Sequence, residues 1–378
     1  MRNILITGGA GFIGSNLALR LSSMGYNVTV LDSLSHQIHG IDQENSSFLF
    51  LNIKDKVNFI KGNVTLREDW IKVINGQDAI IHYAAETGTG QSMYEIEKYT
   101  AVNVSGTAIM LDILSNSIHT VRKVIIASSR SIYGEGKYWS DELNSFVYPE
   151  HRTDNFMSKG DFEVKYNGVS KLQLVATDEE SKIHPSSVYG ITKYNQEQMV
   201  MTVCPTIGIA PVAFRYQNVY GPGQSLSNPY TGILSIFSTL ILNGKDLNIF
   251  EDGMESRDFV YIDDVVTATI LGLESEDANG QVFNVGTGEA TSVLSVADKL
   301  IINYKSKVKK IVSGNYRLGD IRHNYADMTK IKALLGFAPM YNFDVGIKKF
   351  TDWVITQDVK VSRYEESLSE MKQKGLFK

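Results

Sequence analysis

The chain has 378 residues, of which 43% are hydrophobic and 21% charged, and its formal net charge is −5 at pH 7. A net negative charge excludes general electrostatic attraction to nucleic acid or to an anionic membrane. Cys204 is the only cysteine, which excludes an internal disulfide and a cysteine-based zinc site. We therefore expect a cytoplasmic protein without a metal, and the length predicts two or three domain-sized units.

The first part of the chain alternates short apolar runs with helical patterns. Strands are predicted at 4–6, 27–31, 78–82 and 123–127, and a helix at 12–24. The run at 4–6 is too short for a signal peptide, and no stretch approaches the roughly 20 apolar residues of a membrane span. Because the runs lack polar alternation, both faces of the sheet should be covered. The pattern predicts an α/β fold with a doubly wound parallel sheet.

A long polar segment at 135–186 interrupts this pattern. It has no sustained period and is predicted to be an insertion over one edge of the sheet. Periodicity returns with a predicted helix at 189–204 and a predicted strand at 209–216. A smaller, turn-rich region begins near Gly221, and a late strand is predicted at 281–286. The charged tail beyond about Asp358 is predicted to be an exposed helix.

A glycine-rich turn, TGGAGFIG (7–14), follows the first strand and opens the first helix. Gly8 allows a tight turn, Gly11 leaves room for a pyrophosphate, and Gly14 lets the helix pack closely on the strand. The N-terminus of the helix presents free N–H groups and a partial positive charge to phosphates. Taken alone, the glycine triplet is equally compatible with a purely structural turn.

Two polar residues at later strand ends fit the same dinucleotide. Asp32 closes the second strand, at the spacing of the acid that binds the hydroxyls of an adenine ribose. Its carboxylate would also repel a 2′-phosphate, which favours NAD over NADP. The alternative for Asp32 is a cap of the following turn. Asn63 is a candidate adenine contact or, equally, a turn residue.

Three further residues predict redox chemistry. Tyr189 and Lys193 are four residues apart in the predicted helix, so their side chains share one face. A nearby ammonium and the positive nicotinamide ring of bound NAD would lower the pKa of the tyrosine and make it a base. Ser129 stands at a predicted strand end, where a parallel sheet opens its ligand crevice. Alone, the tyrosine–lysine pair is more often a surface pair, but with Ser129 and the glycine-rich turn it predicts an active site.

With these elements in register, the sequence resembles the extended short-chain dehydrogenase/reductase family, and within it the nucleotide-sugar epimerases. The resemblance covers nearly the whole chain and follows seven motifs in order. They are TGGAGFIG (7–14), HYAAETGTGQS (82–92), VNVSGT (102–107), SSRSIYG (128–134), YGITK (189–193), RYQNVYGPGQ (215–224) and ESRDFVYIDD (255–264).

The resemblance implies a role for each matching position. Tyr189 would be the catalytic base, Lys193 its electrostatic partner and a ribose ligand, and Ser129 the hydroxyl donor. The implied cofactor contacts are Gly8, Gly11, Phe12, Ile13, Gly14, Asp32, Asn63, Val64, Ala84, Ala85, Asn103, Tyr189 and Lys193. The implied substrate contacts are Thr87, Ser129, Arg130, Asn218, Arg257 and Arg317, because guanidinium donors suit a diphosphate. For each arginine the alternative is a surface ion pair.

The sequence also discriminates among the activities of the family. The related 4,6-dehydratases carry an acidic pair where this chain has Arg130 and Ser131, which disfavours dehydration. The resemblance instead implies NAD-dependent 4-epimerisation through a transient 4-keto sugar. The stretches SSRSIYGEG and GPGQSLSNPYTGILSIF most resemble the dTDP-L-rhamnose 4-epimerase group. A nucleotide-sugar 4-ketoreductase, a UDP-glucuronate decarboxylase and a catalytically silent binding protein are the alternatives.

Domain organisation and assembly follow from the same resemblance. Residues 1–215, with a return of the chain near 258–286, would form an NAD-binding Rossmann domain. Residues 216–257 and 287–378 would form a smaller α/β domain for the sugar nucleotide, with the substrate in the cleft between them. A homodimer built on helices near 92–116 and 189–204 is expected, as is a role in polysaccharide biosynthesis.

Overall fold

The computed structural model describes residues 1–228, 230, 232–358 and 364–378. Its strands are β1 (Asn3–Thr7), β2 (Asn27–Asp32), β3 (Asn58–Lys61), β4 (Ala79–His82), β5 (Lys123–Ser129), β6 (Tyr138–Ser140), β7 (Ser145–Val147), β8 (Gln173–Leu174), β9 (Ala210–Tyr216), β10 (Asn218–Tyr220), β11 (Leu247–Ile249), β12 (Ser256–Arg257), β13 (Phe259–Tyr261), β14 (Gln281–Val285), β15 (Thr291–Ser292), β16 (Lys310–Val312) and β17 (His323–Asn324).

The helices lie between and after these strands. They are α1 (Phe12–Ser23), α2 (His36–His39), α3 (Gln43–Ser46), α4 (Phe48–Ile53), α5 (Arg67–Ile74), α6 (Thr89–Ser92), α7 (Ile96–Tyr99), α8 (Gly106–Asn116), α9 (Asp154–Met157), α10 (Val188–Thr206), α11 (Ile233–Leu242), α12 (Ile262–Glu274), α13 (Val293–Asn303), α14 (Thr329–Leu335), α15 (Phe343–Ile355) and α16 (Tyr364–Gln373). A π-helical turn, Thr100–Ser105, joins α7 to α8, and a 3-10 turn, Arg130–Tyr133, follows β5.

The central sheet has seven parallel strands in the order β3-β2-β1-β4-β5-β9-β14. The strand order changes direction between β1 and β4, which is where a doubly wound sheet opens its ligand crevice. The apolar runs are buried on both faces, as the missing polar alternation predicts; Ile4, Leu5 and Ile6 are fully buried. The predicted α/β fold with a doubly wound parallel sheet is confirmed.

The predicted strands of this sheet are all present, with ends that differ by one or two residues. The largest difference lies in β5, which continues past the apolar run to Ser129. Its last residues pair with β9 through Ser129 and Tyr216, so the ladder extends into the polar part of the motif. The extra pairing fixes Ser129 on the rigid sheet rather than on a loop.

The segment predicted as an insertion, 135–186, folds into the small antiparallel sheet β7-β6-β8 and helix α9. It lies at the β14 edge of the central sheet, where the amide of Asn284 donates to Glu179 (2.7 Å). It also reaches the later part of the chain, because Thr177 pairs with Ala326. The insertion therefore joins the sheet edge to residues that come after β14.

Residues after β9 build three further small sheets, β10-β13, β11-β16 and β15-β12-β17. Their apolar side chains, with those of α11, α13 and α15, form one core with the α1 and α12 face of the central sheet. A second core covers the opposite face under α5, α8 and α10. β14 belongs to the central sheet although it follows these elements. The division into two domains at the predicted boundaries stays a prediction.

The tail prediction is half right. A helix forms at Tyr364–Gln373, but Tyr364, Ser367 and Met371 are buried, so the prediction of an exposed helix is wrong. These residues recur every three or four positions and therefore lie on one face of the helix. The many charged residues around them make the segment polar on average, so its composition does not reveal the buried face. Residues 359–363 of the predicted tail lie outside the described residues.

Candidate active site

The glycine-rich turn connects β1 to α1 with little free space. Gly8 has φ +65°, a left-handed conformation that favours glycine. A Cβ on Gly8 would lie 2.7 Å from the amide nitrogen of Ala84, and one on Gly14 would lie 2.3 Å from the carbonyl oxygen of Gly8. These two glycines therefore allow the close packing of turn, strand and helix that the sequence predicts for Gly14.

The start of α1 fits the diphosphate of a dinucleotide. Gly11 is the N-cap, no side chain caps the helix, and the first turn contains no acid. A Cβ on Gly11 would contact only the Gly8 carbonyl within 4 Å, at 3.2 Å, so the space in front of the turn is open. Phe12 and Ile13 follow, half-buried at the helix start. Unpaired N–H groups and the helix dipole favour an anion at such a position.

Asp32 ends β2 and is buried beside the turn. One carboxylate oxygen accepts from the Ala10 amide (2.9 Å), and the other accepts from the Leu34 amide (2.8 Å). Burial raises the pKa of Asp32, against these hydrogen bonds. The carboxylate thus caps its own turn, as the alternative interpretation expected, and also anchors the glycine-rich turn. Its contact with an adenine ribose stays a prediction.

The next predicted cofactor contacts follow β3 and β4. The Asn63 side-chain oxygen accepts from the Thr65 amide (3.0 Å), so Asn63 acts as the turn residue that was its alternative interpretation. Val64 is buried against α8, where a Cβ on Gly106 would meet it at 2.9 Å. Ala84 and Ala85 are half-buried in the loop that follows β4. The adenine contact of Asn63 remains a prediction.

Ser129 and Tyr189 come together, although 60 positions of sequence numbering separate them. The Ser129 side chain lies close enough to the Tyr189 hydroxyl to lower its pKa, and Ser131 donates its amide (3.2 Å) and hydroxyl (2.9 Å) to Ser129 Oγ. Ser187 caps α10, and the Tyr189 amide donates to Ser92 Oγ (3.0 Å). Burial raises the pKa of Tyr189, while Ser129 and the positive charge of Arg130 lower it. The net direction in this structure is upward, because burial disfavours the phenolate.

Lys193 lies one turn further along α10 and has a partner that the sequence analysis missed. Its ammonium donates to the side-chain oxygen of Gln196 at 2.6 Å, and both residues are buried. Gln196 donates to Thr107 (2.8 Å), Thr107 contacts His82 (2.9 Å), and His82 contacts Thr7 (2.6 Å). Burial lowers the pKa of Lys193 to about 7. This buried chain of polar groups, which we call the lysine relay, links α10 to the last residue of β1.

Asn103 sits in the π-helical turn and is fully buried. Its side-chain oxygen accepts from the Glu86 amide (2.8 Å), and its amide group donates to the Glu86 carbonyl (3.1 Å) and to Thr192 Oγ1 (2.9 Å). It therefore fastens the loop after β4 to α10. This geometry supports the predicted positioning role, and π-turns recur at functional sites.

Four of the predicted substrate contacts line one cavity, which we call the arginine-lined cavity: Arg130, Asn218, Arg257 and Arg317. Arg130 Nε donates to the Asn218 side-chain oxygen at 2.6 Å. In the described part of the chain, Arg130 Nη1 is buried without a hydrogen-bond partner. Burial and the charge of Arg257 lower the pKa of Arg130 to about 9. An anion or a polar oxygen in the cavity would satisfy this group.

Arg257, Arg317 and Thr87 differ in how they meet the cavity. Arg257 donates to the carbonyls of Ser256 (2.8 Å) and Arg322 (2.9 Å). Arg317 forms an ion pair with Asp320 (2.8 Å), so its alternative interpretation also applies. Thr87 is exposed. Among the described residues, Gly88, Thr89 and Gly90 line the cavity and Thr87 does not.

A network of charged side chains lies behind the cavity, and the sequence analysis did not predict it. Arg322 is fully buried and pairs with Glu251 (2.9 Å) and Asp252 (2.7 Å). The insertion contributes Arg152, which also pairs with Glu251 (2.8 Å). Glu255 lines the cavity, and burial together with the charge of Glu251 raises its pKa to about 7. The insertion thus supports the floor of the cavity.

No helix within the described residues combines the length and apolar character that crossing a membrane requires. Across the same ranges, no group of three or more His, Cys, Asp or Glu side chains stands where it could hold a metal ion.

The sequence matches the NAD dependent epimerase/dehydratase family over residues 4–153 and 166–286. This chain belongs to that family. The predicted family and the NAD cofactor are confirmed, and the open start of α1 fits the cofactor's diphosphate. The chain is therefore an epimerase/dehydratase-family enzyme of nucleotide-sugar metabolism.

Three proteins illustrate what this epimerase/dehydratase is similar to. A dTDP-L-rhamnose 4-epimerase of Burkholderia thailandensis is 35% identical over 93% of this chain and 95% of its own length. The crystal structure of the UDP-glucose 4-epimerase of Thermotoga maritima with UDP-glucose has a TM-score of 0.76 and 28% identity, covering 93% of this chain and 98% of that one. The UDP-glucuronic acid 4-epimerase of Bacillus cereus, in complex with UDP-glucuronic acid and NAD, has a TM-score of 0.73 and 25% identity, covering 93% and 99%.

Proposed function

We propose that this enzyme inverts C4 of a nucleotide-diphosphate sugar through a transient 4-keto sugar, and that dTDP-L-rhamnose is the first substrate to test. The observation that carries the proposal is that Ser129 and Arg130 both lie beside the Tyr189 hydroxyl, and that Arg130 also lines the arginine-lined cavity. Proton removal from a secondary alcohol needs a base with a hydroxyl partner, and a diphosphate needs guanidinium donors. Arg130 directly follows Ser129 in the chain and connects the two halves of the site.

The chemistry divides between the residues as follows. Tyr189 removes the proton of the C4 hydroxyl, and Ser129 keeps a hydrogen bond to that oxygen as it becomes a carbonyl. The glycine-rich turn with Gly8, Gly11 and Gly14 would hold NAD, which would supply a reversible hydride acceptor, so the net redox state would not change. Lys193 lies one helical turn away and favours the phenolate when it is protonated. Tyr189 finally returns the proton to the oxygen of the inverted carbon.

Inversion requires that the sugar present both faces while the nucleotide stays bound. Arg257 and Arg317 would hold the diphosphate, so that binding energy from the remote nucleotide positions a mobile sugar. The cavity continues to Asn248 on β11 and to Phe250. Within the described residues, the Asn248 side-chain oxygen is buried without a hydrogen-bond partner. The N3–H donor of a thymine or uracil ring would satisfy this acceptor, which supports a pyrimidine nucleotide.

The test is incubation of the purified enzyme with a panel of dTDP-, UDP- and GDP-sugars, followed by NMR of the products. We expect C4 inversion of at least one pyrimidine nucleotide sugar without net consumption of cofactor. Tyr189→Phe should lose nearly all turnover and keep its fold. Tyr194→Phe changes a half-buried tyrosine of the same helix and is the matched control.

The same panel separates the alternatives. Stoichiometric oxidation of a reduced cofactor by a 4-keto sugar would assign a ketoreductase. Carbon dioxide release from UDP-glucuronate would assign a decarboxylase. Bound NAD without any conversion would assign a silent binding protein, and substantial turnover by Tyr189→Phe would remove that residue from the role of base.

A further inference from the structure

We infer that the C-terminal segment, residues 364–378, is part of the sugar-nucleotide site and positions Arg317. The inference rests on the proposed function in taking a nucleotide diphosphate as the ligand of the arginine-lined cavity. Tyr364 and Met371, both buried on α16, line this cavity together with Arg257 and Arg317. A segment that lies after the last helix of the core, α15, therefore supplies part of the cavity wall.

The last residues of the chain pair with the backbone on both sides of Arg317. The Tyr316 amide donates to the Lys378 carbonyl (2.9 Å), and the Lys378 amide donates to the Tyr316 carbonyl (3.0 Å). On the other side, the Leu318 amide donates to the Leu376 carbonyl (3.0 Å). This isolated antiparallel bridge between Arg317 and Phe377 leaves the backbone of Arg317 little freedom, which fixes where its side chain begins.

The side chain of Arg317 is held as well. Its guanidinium lies 5.4 Å above the ring of Phe250. Phe377 packs against the same ring, with 5.1 Å between centroids. Phe377 therefore supports the aromatic surface on which the guanidinium rests, and a cation above an aromatic face is attracted to it.

Further contacts hold the segment in place. The Lys378 ammonium pairs with Asp154 of the insertion (2.6 Å), which also accepts from the Tyr316 hydroxyl (2.6 Å). At the other end, the Tyr230 hydroxyl donates to Glu370. Met371 packs on Gly90, where an added Cβ would lie 3.1 Å from its sulfur. The segment thus spans the cavity from α6 to the insertion.

The consequence concerns the affinity for the diphosphate. A guanidinium binds a phosphate best when it is oriented before binding, because less conformational freedom is then lost. Phe377→Ala removes the support under Phe250 while it keeps the backbone pairing. We expect the dissociation constants for dTDP and UDP to rise at least tenfold, KM for the sugar nucleotide to rise in parallel, and kcat to change less than twofold.

The experiment uses the full chain loaded with NAD, and calorimetric titration with dTDP and UDP. Phe377→Tyr should restore binding, because it keeps the ring. Lys372→Ala changes an exposed residue of the same helix and should bind like the unsubstituted chain. NAD affinity and thermal unfolding serve as measures of the fold.

The outcomes decide the inference independently of turnover. Loss of nucleotide affinity with NAD affinity kept, and rescue by Phe377→Tyr, would support it. Affinities within twofold of the unsubstituted chain would overturn it, as would a parallel loss of NAD affinity. Nucleotide binding without epimerisation of any sugar would refute the proposed function and leave this inference intact. Absence of dTDP and UDP binding in the unsubstituted chain would refute the inference.

Discussion

The lysine relay makes a specific prediction for Gln196→Met. Methionine has a similar volume and cannot accept a hydrogen bond of comparable strength, so the Lys193 ammonium loses its 2.6 Å partner in a buried site. A hydrogen bond to a charged group contributes about 1.5–3 kcal/mol. Since one pKa unit corresponds to about 1.36 kcal/mol, the loss lowers the pKa of Lys193 by about 1 to 2 from its value of about 7.

The direction of the pH effects follows from this change. If the ammonium promotes the phenolate, activity falls as pH rises through the pKa of Lys193, and in the variant it falls at lower pH. Stability responds too, since the unfolded lysine has a pKa near 10.5 and the folded one about 7. Between these two pKa values Lys193 is protonated in the unfolded chain and neutral in the folded chain, so the free energy of unfolding rises with pH. In the variant the folded pKa is lower, so this rise begins at a lower pH. Relative to the unsubstituted chain, Gln196→Met should lose about 1.5–3 kcal/mol at pH 5 and little at pH 9.

Two measurements check the prediction. The first is the pH profile of epimerisation from pH 5 to 9. In the variant the fall in activity should begin at a lower pH, and at pH values above the pKa of Lys193 its rate should be tenfold to hundredfold below that of the unsubstituted chain. The second is urea unfolding at pH 5 and pH 9. Gln198→Met places the same substitution on an exposed position of α10 and should change neither. An unshifted pH profile together with equal destabilisation at both pH values would refute the role of Gln196.

Three further predictions concern other parts of the site. Glu255→Gln removes a carboxylate whose pKa of about 7 means it gains charge near the diphosphate as pH rises; KM should therefore rise from pH 6 to 8 in the unsubstituted chain and stay flat in the variant, and equal slopes would contradict this. Gly14→Ala places a Cβ 2.3 Å from the Gly8 carbonyl, so NAD affinity measured by fluorescence titration should fall at least tenfold, and a change under twofold would contradict the packing argument. Arg322→Met leaves Glu251 with one buried cation fewer and should cost about 3–5 kcal/mol in urea unfolding, whereas a cost below about 1 kcal/mol would mean that the network relaxes.

Parts of the site that depend on short stretches of sequence were predictable. The glycine-rich turn, the strand end at Ser129 and the one-turn spacing of Tyr189 and Lys193 are local properties of strand and helix geometry. The partner of Lys193 was not predicted, although Gln196 follows only three residues later on the same helix. Nothing local marks Gln196 as a partner, because its other contact, Thr107, lies 89 positions away in the sequence.

Contacts and burial that depend on the whole fold could not be read from local patterns. For Asp32 and Asn63 the sequence left both a ligand contact and a turn role open. Short polar side chains at turns find backbone amides nearby, so the structure shows the turn role for both, and their cofactor contacts stay predictions. The pKa of Tyr189 is predicted to fall beside an ammonium and bound NAD, and in this structure burial raises it. Burial is set by the whole fold and cannot be obtained from the spacing of residues along a helix.

The sequence by itself determined the doubly wound sheet, the dinucleotide turn and the Ser129, Tyr189 and Lys193 positions, because hydrophobic period and glycine spacing act over a few residues. Only the tertiary structure decided which arginines meet in one cavity, how the insertion supports its floor, and that the C-terminal segment covers it. Arg317 and Phe377 illustrate the reason. Their roles come from contacts between distant parts of the chain, and such contacts form only when the packed core brings those parts together.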